Sequence, residues 1–322
     1  MTYTKIVGTG RYLPEKILTN FDLEKMVDTT DEWIRSRTGV ERRHCVAPDQ
    51  TTSDMCVEAA KVAIEDAGID VTDIDMVLVG TTSPDLIFPN AATLVQHRLG
   101  IPACPCIGME AACTSFIYAL TTADMYIKAG EAKCALVIGA ECITKLVDWS
   151  DRNTCVLFGD GAGAVIVKAS EEPGIIATHI GADGQYKDLL YYPVGASKDL
   201  HKAGTDEAAI MMTGSEVFKV AVKTLGNVAT KVLEKAGVSQ DEVDWLIPHQ
   251  ANVRIIQATA KRLNLPMEKV ILTVQDHGNT SAASVPMALD VGIRDGRVKP
   301  GQLLLLEAFG GGFTWGSILL RL

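Results

Sequence analysis

Three short stretches carry side chains that could act on a carbonyl group: Cys113 in EAACTSFIYAL, His249 in PHQAN and Asn279 in HGNTSAAS. The spacing predicts that Cys113 opens a helix and that Asn279 lies just before another, Val285 to Arg294. Backbone N–H groups at a helix start carry partial positive charge, which favours an anion and would acidify a thiol. A histidine and an amide can both donate to an oxygen that gains charge. If the three met in one pocket, they would make a nucleophile with two donors for an oxyanion or enolate. Each also has a plainer reading. Cys113 could fill space beside a sheet, His249 could be a surface residue bonded to backbone, and Asn279 could cap its helix. His277 reads as a residue that holds its turn.

Two glycine-rich stretches sit near these residues. FGGGF (Phe309 to Phe313) follows an apolar run and could offer a backbone N–H to an oxyanion, or serve as a tight strand connection. FGDGAG (Phe158 to Gly163) reads as structural, because no convincing helix follows it as a dinucleotide site requires.

The elements that would position these residues alternate. Lys5 to Gly8, Asp75 to Val79, Cys134 to Ala140 and Ala164 to Lys168 read as strands. Between them, Thr52 to Gly68 has Met55, Ala59, Val62, Ala63 and Ala67 at helical spacing, Ala91 to Leu99 is helical, and the helix opened by Cys113 runs to about Ala129. The second half repeats the order. Ile175 to Ile180 is a strand, and Asp183 to Thr213 is irregular and polar. Gly214 to Ala236 is a long amphipathic helix, Asp244 to Ile247 a strand and Val253 to Leu263 a helix. Leu303 to Glu307 and Ser317 to Leu320 are strands. Such alternation indicates a layered α/β architecture.

A repeat underlies it. AGIDVTDIDMVLV (from Ala67) aligns without gaps on AGVSQDEVDWLIP (from Ala236), RLGIP matches RLNLP, and Ala119-Leu120 matches Ala288-Leu289. The chain is therefore expected to be two copies of one α/β unit, 1–172 and 173–322. Pseudo-twofold packing would bring the helix starts at Cys113 and Asn279 together.

Composition excludes several classes. With 322 residues, 47% hydrophobic and 22% charged, the chain can bury large cores. A net charge of −10 argues against general nucleic-acid binding. No apolar run reaches membrane-spanning length and no signal-peptide core is visible at the start, so a cytoplasmic protein is expected. Eight cysteines are present, at 45, 56, 104, 106, 113, 134, 142 and 155, with no paired spacing that makes a zinc site. No metal is expected.

These motifs taken together resemble the β-ketoacyl-acyl-carrier-protein synthase III family of the thiolase-like superfamily. The resemblance spans the chain: TGRYLPE, DTTDEWIRSRTG, EAAC, FGDGAGA, PHQANVRII, HGNTSAASVP and LLLEAFGGGFTWGS. Cys-His-Asn is the set expected there, whereas elongating ketosynthases use Cys-His-His and thiolases a second cysteine. Chalcone-synthase-type enzymes share the set on longer chains. The resemblance implies a thiolase-like fold of two duplicated halves in an αβαβα stack. It also implies an acyltransferase that condenses an acyl-CoA primer, acetyl-CoA by expectation, with malonyl-acyl carrier protein to begin type II fatty-acid synthesis.

Residue by residue, it implies Cys113 as the acylated nucleophile and His249 and Asn279 on the malonyl thioester carbonyl. The N–H groups of Cys113 and Gly311 would form the oxyanion hole. Trp33 and Arg152 would sandwich the adenine of coenzyme A, with Arg37 near its phosphates and Gly214 and Asn252 along the pantetheine channel. The acidic carrier protein would dock over Arg254, Lys261, Arg262 and Lys219, with Lys223 on the same helix as Lys219 and with Gln250 alongside. Without the resemblance these cations read as solvated helix faces. Phe88 and Ile143 are candidates for shaping the acyl pocket. Coenzyme A enters as substrate and no cofactor is needed. A homodimer is implied, with Cys134 to Ala140 as a strand continuing across the twofold. One departure stands out: Thr114 and Ser115 follow the nucleophile where Ala and Gly are expected. A coenzyme-A thioesterase or simple acyltransferase on the same scaffold would keep Cys113 without needing the His249/Asn279 pair. A non-catalytic scaffold would need none of the three.

Overall fold

The computed structural model describes residues 2–205 and 207–322. Nine strands build two sheets. The first contains β1 (Tyr3–Tyr12), β2 (Met76–Gly80), β3 (Cys106–Met109), β4 (Cys134–Glu141) and β5 (Gly161–Ser170), in the order β1-β5-β4-β2-β3. The second contains β6 (Ile175–Ala182), β7 (Trp245–Pro248), β8 (Leu303–Gly310) and β9 (Thr314–Arg321), in the order β7-β8-β9-β6. Within each sheet the strands β2/β4 and β7/β8 run parallel, and their neighbours β5 and β9 run antiparallel to them.

The two sheets are copies. Position for position, β4 and β8 lie 169 residues apart (Cys134 and Leu303), as do Met76 of β2 and Trp245 of β7. The counterpart of β3 is reduced to a single bridge, Leu246 to Val270.

Seven helices matter for the site: α1 (Asp31–Thr38), α2 (Thr52–Ala67), α3 (Ala91–Leu99), α4 (Ser115–Ala129), α5 (Gly214–Ala236), α6 (Val253–Arg262) and α7 (Ser284–Arg294). Helices α4 and α7 lie between the sheets and touch both. Helices α2 and α3 cover the outer face of the first sheet; α5 covers the second and carries α6 beside it. The result is a five-layer αβαβα stack. Its central core joins Phe116, Ile117 and Leu120 of α4 to Val285, Ala288 and Leu289 of α7 and to both sheets. Strands with both faces covered read as unbroken apolar runs, which is why CALVIGA and LLLL stand out in sequence.

Several expectations are corrected. Cys113 does not open the α-helix but lies in a 3-10 turn, Ala112–Thr114, that runs into α4. Val62, placed on the buried face of α2 by its spacing, is 38% exposed. The stretch 183–213 is not wholly irregular, since Leu190–Tyr191 pairs with Met211–Met212. Strand β4 cannot continue across a twofold, because β2 and β5 flank it on both sides; the edges of this sheet are β1 and β3, and sequence reading missed β3.

Candidate active site

Two glycines allow the duplicated halves to meet. A Cβ on Gly139 of β4 would collide with the Ala282 carbonyl, and one on Gly310 of β8 would stand 2.6 Å from the Cys113 nitrogen. Each sheet thus lets the other half's turn press against it. Those turns, Ala112–Thr114 and Ser281–Ala283, are themselves copies. Ala112 and Ser281 both have φ +48°, a left-handed conformation that a non-glycine residue adopts at a cost. In each turn a side chain two residues back caps the strained N–H: Glu110 Oε1 accepts from Ala112 N at 3.0 Å, and Asn279 Oδ1 accepts from Ser281 N at 2.9 Å.

Thr114 and Ser115 now have an account. Ser115 Oγ accepts from Ala111 N (2.8 Å) and donates to Ala112 O (2.7 Å), so it staples the nucleophile's turn. Thr314 Oγ1 donates to Ala111 O (2.7 Å) and meets Thr114 Oγ1 (3.1 Å), tying that turn to the strand beside Gly311.

The Cys113 thiol is buried. Burial pushes its pKa up to about 12, against the lowering expected from a helix start. Glu141 and Glu110 push the same way, while the Ser281 hydroxyl and Cys113's own N–H favour the thiolate. Burial outweighs the groups that favour the thiolate, and the balance lies toward the thiol.

His249 stands just past β7, and its N–H donates to Glu307 O at 2.8 Å. Its ring is buried, and burial lowers its pKa to about 3. The imidazole is therefore neutral near pH 7 and has an N–H to donate. Gln250 fixes this loop. Its amide donates to Pro248 O and Ile271 O and accepts from Thr273 N and Val274 N. It is wholly buried, so its assignment to the carrier-protein surface is corrected: it is an internal strut.

Asn279 is held by FGDGAG. Its N–H donates to Leu157 O (2.8 Å) and its carbonyl accepts from Gly159 N (3.1 Å). Asp160 of the same motif accepts from Val46 N and Thr144 N, anchoring the loop. His277 is buried beside it, its pKa lowered to about 4 chiefly by burial.

Cys113, His249 and Asn279 line one cavity of about 1240 Å³, together with Gly311, Ser281 and Glu110. Its apolar part includes Ile143, Leu157, Ile210, Val217, Leu225 and Phe309, whereas Phe88 is 84% exposed and lies outside it. Toward solvent the cavity passes Gly214, Asn252, Trp33, Arg37, Lys219 and Arg254. Asn252 caps α6 through Arg254 N (2.8 Å) and donates to Arg37 O (3.0 Å), so its side chain is already occupied. Arg37 and Arg152 lie over the Trp33 ring, 5.0 and 4.9 Å from its centroid. An aromatic ring stacked between two groups needs them roughly 7 Å apart. Arg152 does not line the cavity, and at 4.9 Å from the ring centroid it leaves no room for an aromatic ring between itself and Trp33. Lys187 at the cavity rim and the buried Glu141 were missed in sequence reading; an acid ending the apolar run CALVIGAE was the available signal for the second.

The comparisons with known proteins decide the family. Residues 107–184 match the family model 3-oxoacyl-[acyl-carrier-protein] synthase III, and residues 233–322 match its C-terminal model. The chain is 59% identical over 321 residues to beta-ketoacyl-[acyl-carrier-protein] synthase III of Thioalkalivibrio sulfidiphilus, covering 100% of both. The Xanthomonas campestris pv. campestris protein of that name is also 59% identical, over 99% of this chain and 98% of the relative. The chain belongs to the β-ketoacyl-[acyl-carrier-protein] synthase III family. Among solved structures, 3-oxoacyl-[acyl-carrier-protein] synthase III of Aquifex aeolicus superposes with a TM-score of 0.93 at 50% identity, covering 99% of this chain and 100% of that one. The Pseudomonas aeruginosa enzyme gives 0.92 at 38% identity, covering 99% and 98%. The chain thus has the thiolase-like fold and is an acyltransferase, a condensing enzyme that begins fatty-acid biosynthesis.

Proposed function

We propose that Cys113, His249 and Asn279 carry out the family's reaction here, joining an acyl-CoA primer, acetyl-CoA first among them, to malonyl-acyl carrier protein. The observation that supports this reading most is the convergence of a buried thiol, a neutral imidazole and an oriented amide in one cavity. In the first half-reaction Cys113 sulfur attacks the thioester carbonyl. The oxyanion meets the N–H groups of Cys113 and Gly311, the C–S bond to coenzyme A breaks, and the thiol proton leaves with coenzyme A. In the second, malonyl-carrier protein loses CO₂ and the bonding pair becomes an enolate. His249 and Asn279 donate to its oxygen. The α-carbon then attacks the acyl-cysteine, the C–S bond breaks to return the Cys113 thiolate, and acetoacetyl-carrier protein leaves. One proton is taken up by the thiolate. Coenzyme A is substrate, and the chemistry needs no further cofactor.

The same reading makes the chain a cytoplasmic homodimer. No helix among the described residues is long and apolar enough to cross a membrane. The free edge of β3 and the exposed Leu86, Ile87 and Phe88 before α3 support pairing between copies.

Incubation with labelled acetyl-CoA and, separately, with malonyl-carrier protein tests the assignment. Cys113→Ala takes no protein-bound label. His249→Ala and Asn279→Ala take label but release little CO₂. Stable thioester label on Cys113→Ala, or wild-type CO₂ release by either of the others, overturns it.

A further inference from the structure

Glu141 ends β4, a strand whose other residues are all buried and almost all apolar. Alternation sends Ala135 and Val137 into the central core and Leu136, Ile138 and Ala140 into the outer one. It sends the Glu141 side chain the central way, to the junction of the halves. There the carboxylate accepts from Ser83 Oγ (2.6 Å), Thr82 N (3.1 Å), Thr82 Oγ1 (3.0 Å) and Thr81 Oγ1 (3.3 Å). All four donors come from the loop after β2, in its own half. The fifth donor is Ser281 Oγ (3.1 Å), from the other half.

Ser281 is the strained residue of its turn, and its N–H donates to Asn279 Oδ1. A backbone N–H can be met only by the oxygen of the amide. The bond therefore sets which way the amide faces and leaves Nδ2 free to donate into the cavity. The first half holds its equivalent turn differently. Ala112 has no hydroxyl, the position matching Glu141 is Gly310, and the turn is tied by Ser115 and Thr314 instead. An acid at the end of the central strand that reaches the other half's turn is thus an asymmetry between the two copies, placed on the side that carries Asn279.

We propose that Glu141 is a positioning residue for Asn279: by anchoring Ser281 in its left-handed conformation it fixes the amide that meets the malonyl thioester oxygen. This rests on the role given to Asn279 above. The carboxylate also opposes ionisation of Cys113. Its loss does not weaken the thiol's charge state, so the damage falls on the second half-reaction rather than the first.

The test measures acetyl transfer from acetyl-CoA to Cys113, CO₂ release from malonyl-carrier protein and thermal unfolding, in wild type, Glu141→Gln, Ser281→Ala and Asn279→Ala. Expected is a fall of about tenfold or more in CO₂ release for Glu141→Gln and Ser281→Ala; acetyl transfer changes much less in Glu141→Gln, and falls in Ser281→Ala only as far as the lost hydroxyl favoured the Cys113 thiolate. Equal losses in both half-reactions of Glu141→Gln would mean a merely structural role and overturn the proposal, as would wild-type CO₂ release in both variants. If Glu141→Gln fails to fold, Ser281→Ala decides alone, with CO₂ release measured on enzyme already acetylated at Cys113. Wild-type CO₂ release by Asn279→Ala overturns the reading of the site itself; loss there with normal Ser281→Ala and Glu141→Gln overturns only the link.

Discussion

Cys113 shows how burial and local dipoles compete. Sequence alone points to an acidified thiol, since the residue precedes a helix. The helix does begin two residues on, but the thiol is buried at the inner end of the cavity, with two acids nearby. Burial disfavours the charged form, and a raised pKa means that thiolate is scarce at neutral pH. In the substrate-free enzyme the rate of Cys113 alkylation by iodoacetamide should therefore climb about tenfold per pH unit from pH 7 to 9. Peptide mass spectrometry can follow Cys113 apart from the other seven cysteines. A plateau below pH 8 would show that the helix start and the Ser281 hydroxyl outweigh desolvation. His249 tells the complementary story. Burial lowers its pKa, so it is already neutral through the same pH range and its donor role is not lost as pH rises. Neither shift could be read from sequence, because each depends on which residues from distant stretches close over the side chain.

At the scale of elements, the repeat was legible and its consequence was not. The 169-residue offset is visible in AGIDVTDIDMVLV against AGVSQDEVDWLIP, and apolar runs marked β2, β4 and β8. The 3-10 turns before α4 and α7 were not visible, because φ +48° at an alanine and a serine is imposed by tertiary contacts rather than by propensity. Strand β3 was missed for a related reason: CIGM is short, lies at an edge and is only partly buried. Gly310 makes the tertiary constraint testable. A methyl group there would overlap the Cys113 nitrogen, one of the two oxyanion donors in the proposed mechanism. Gly310→Ala should destabilise the fold by about 1–3 kcal/mol through overpacking. It should also slow acetylation of Cys113 beyond what the stability loss explains. Thermal unfolding and burst labelling with acetyl-CoA read the two effects, and unchanged acetylation would mean that the turn has room to give.

For the whole molecule, the free edge of β3 matters first. If copies pair there, Cys106→Pro removes an N–H that faces the open edge, since the register turns the N–H of Ile107 inward to the neighbouring strand, and sedimentation should show a shift toward the 34.5 kDa species. An unchanged dimer would place the interface elsewhere.

Charge matters second. The chain is net −10, yet α6 presents Arg254 and Lys261 seven residues apart on one face, and neither makes an ion pair among the described residues. Unpaired cations on an acidic protein fit an acidic partner, here the carrier protein. Arg254 cannot isolate that role, because it lines the cavity and lies over Phe218, where coenzyme A and carrier-borne substrate would both pass in the proposed mechanism. Lys261 can, since it lies outside the cavity. Rim charges act mainly on association rate, are individually worth about 0–1 kcal/mol and are screened by salt. Lys261→Glu reverses the charge, so it should raise the KM for malonyl-carrier protein about two- to fivefold at low salt. The difference from wild type should shrink as salt is added, and acetylation by acetyl-CoA should stay as it was. Arg254→Glu should disturb both half-reactions. Were Lys261→Glu to slow both equally, or to act independently of salt, the carrier protein would not approach over this face of α6.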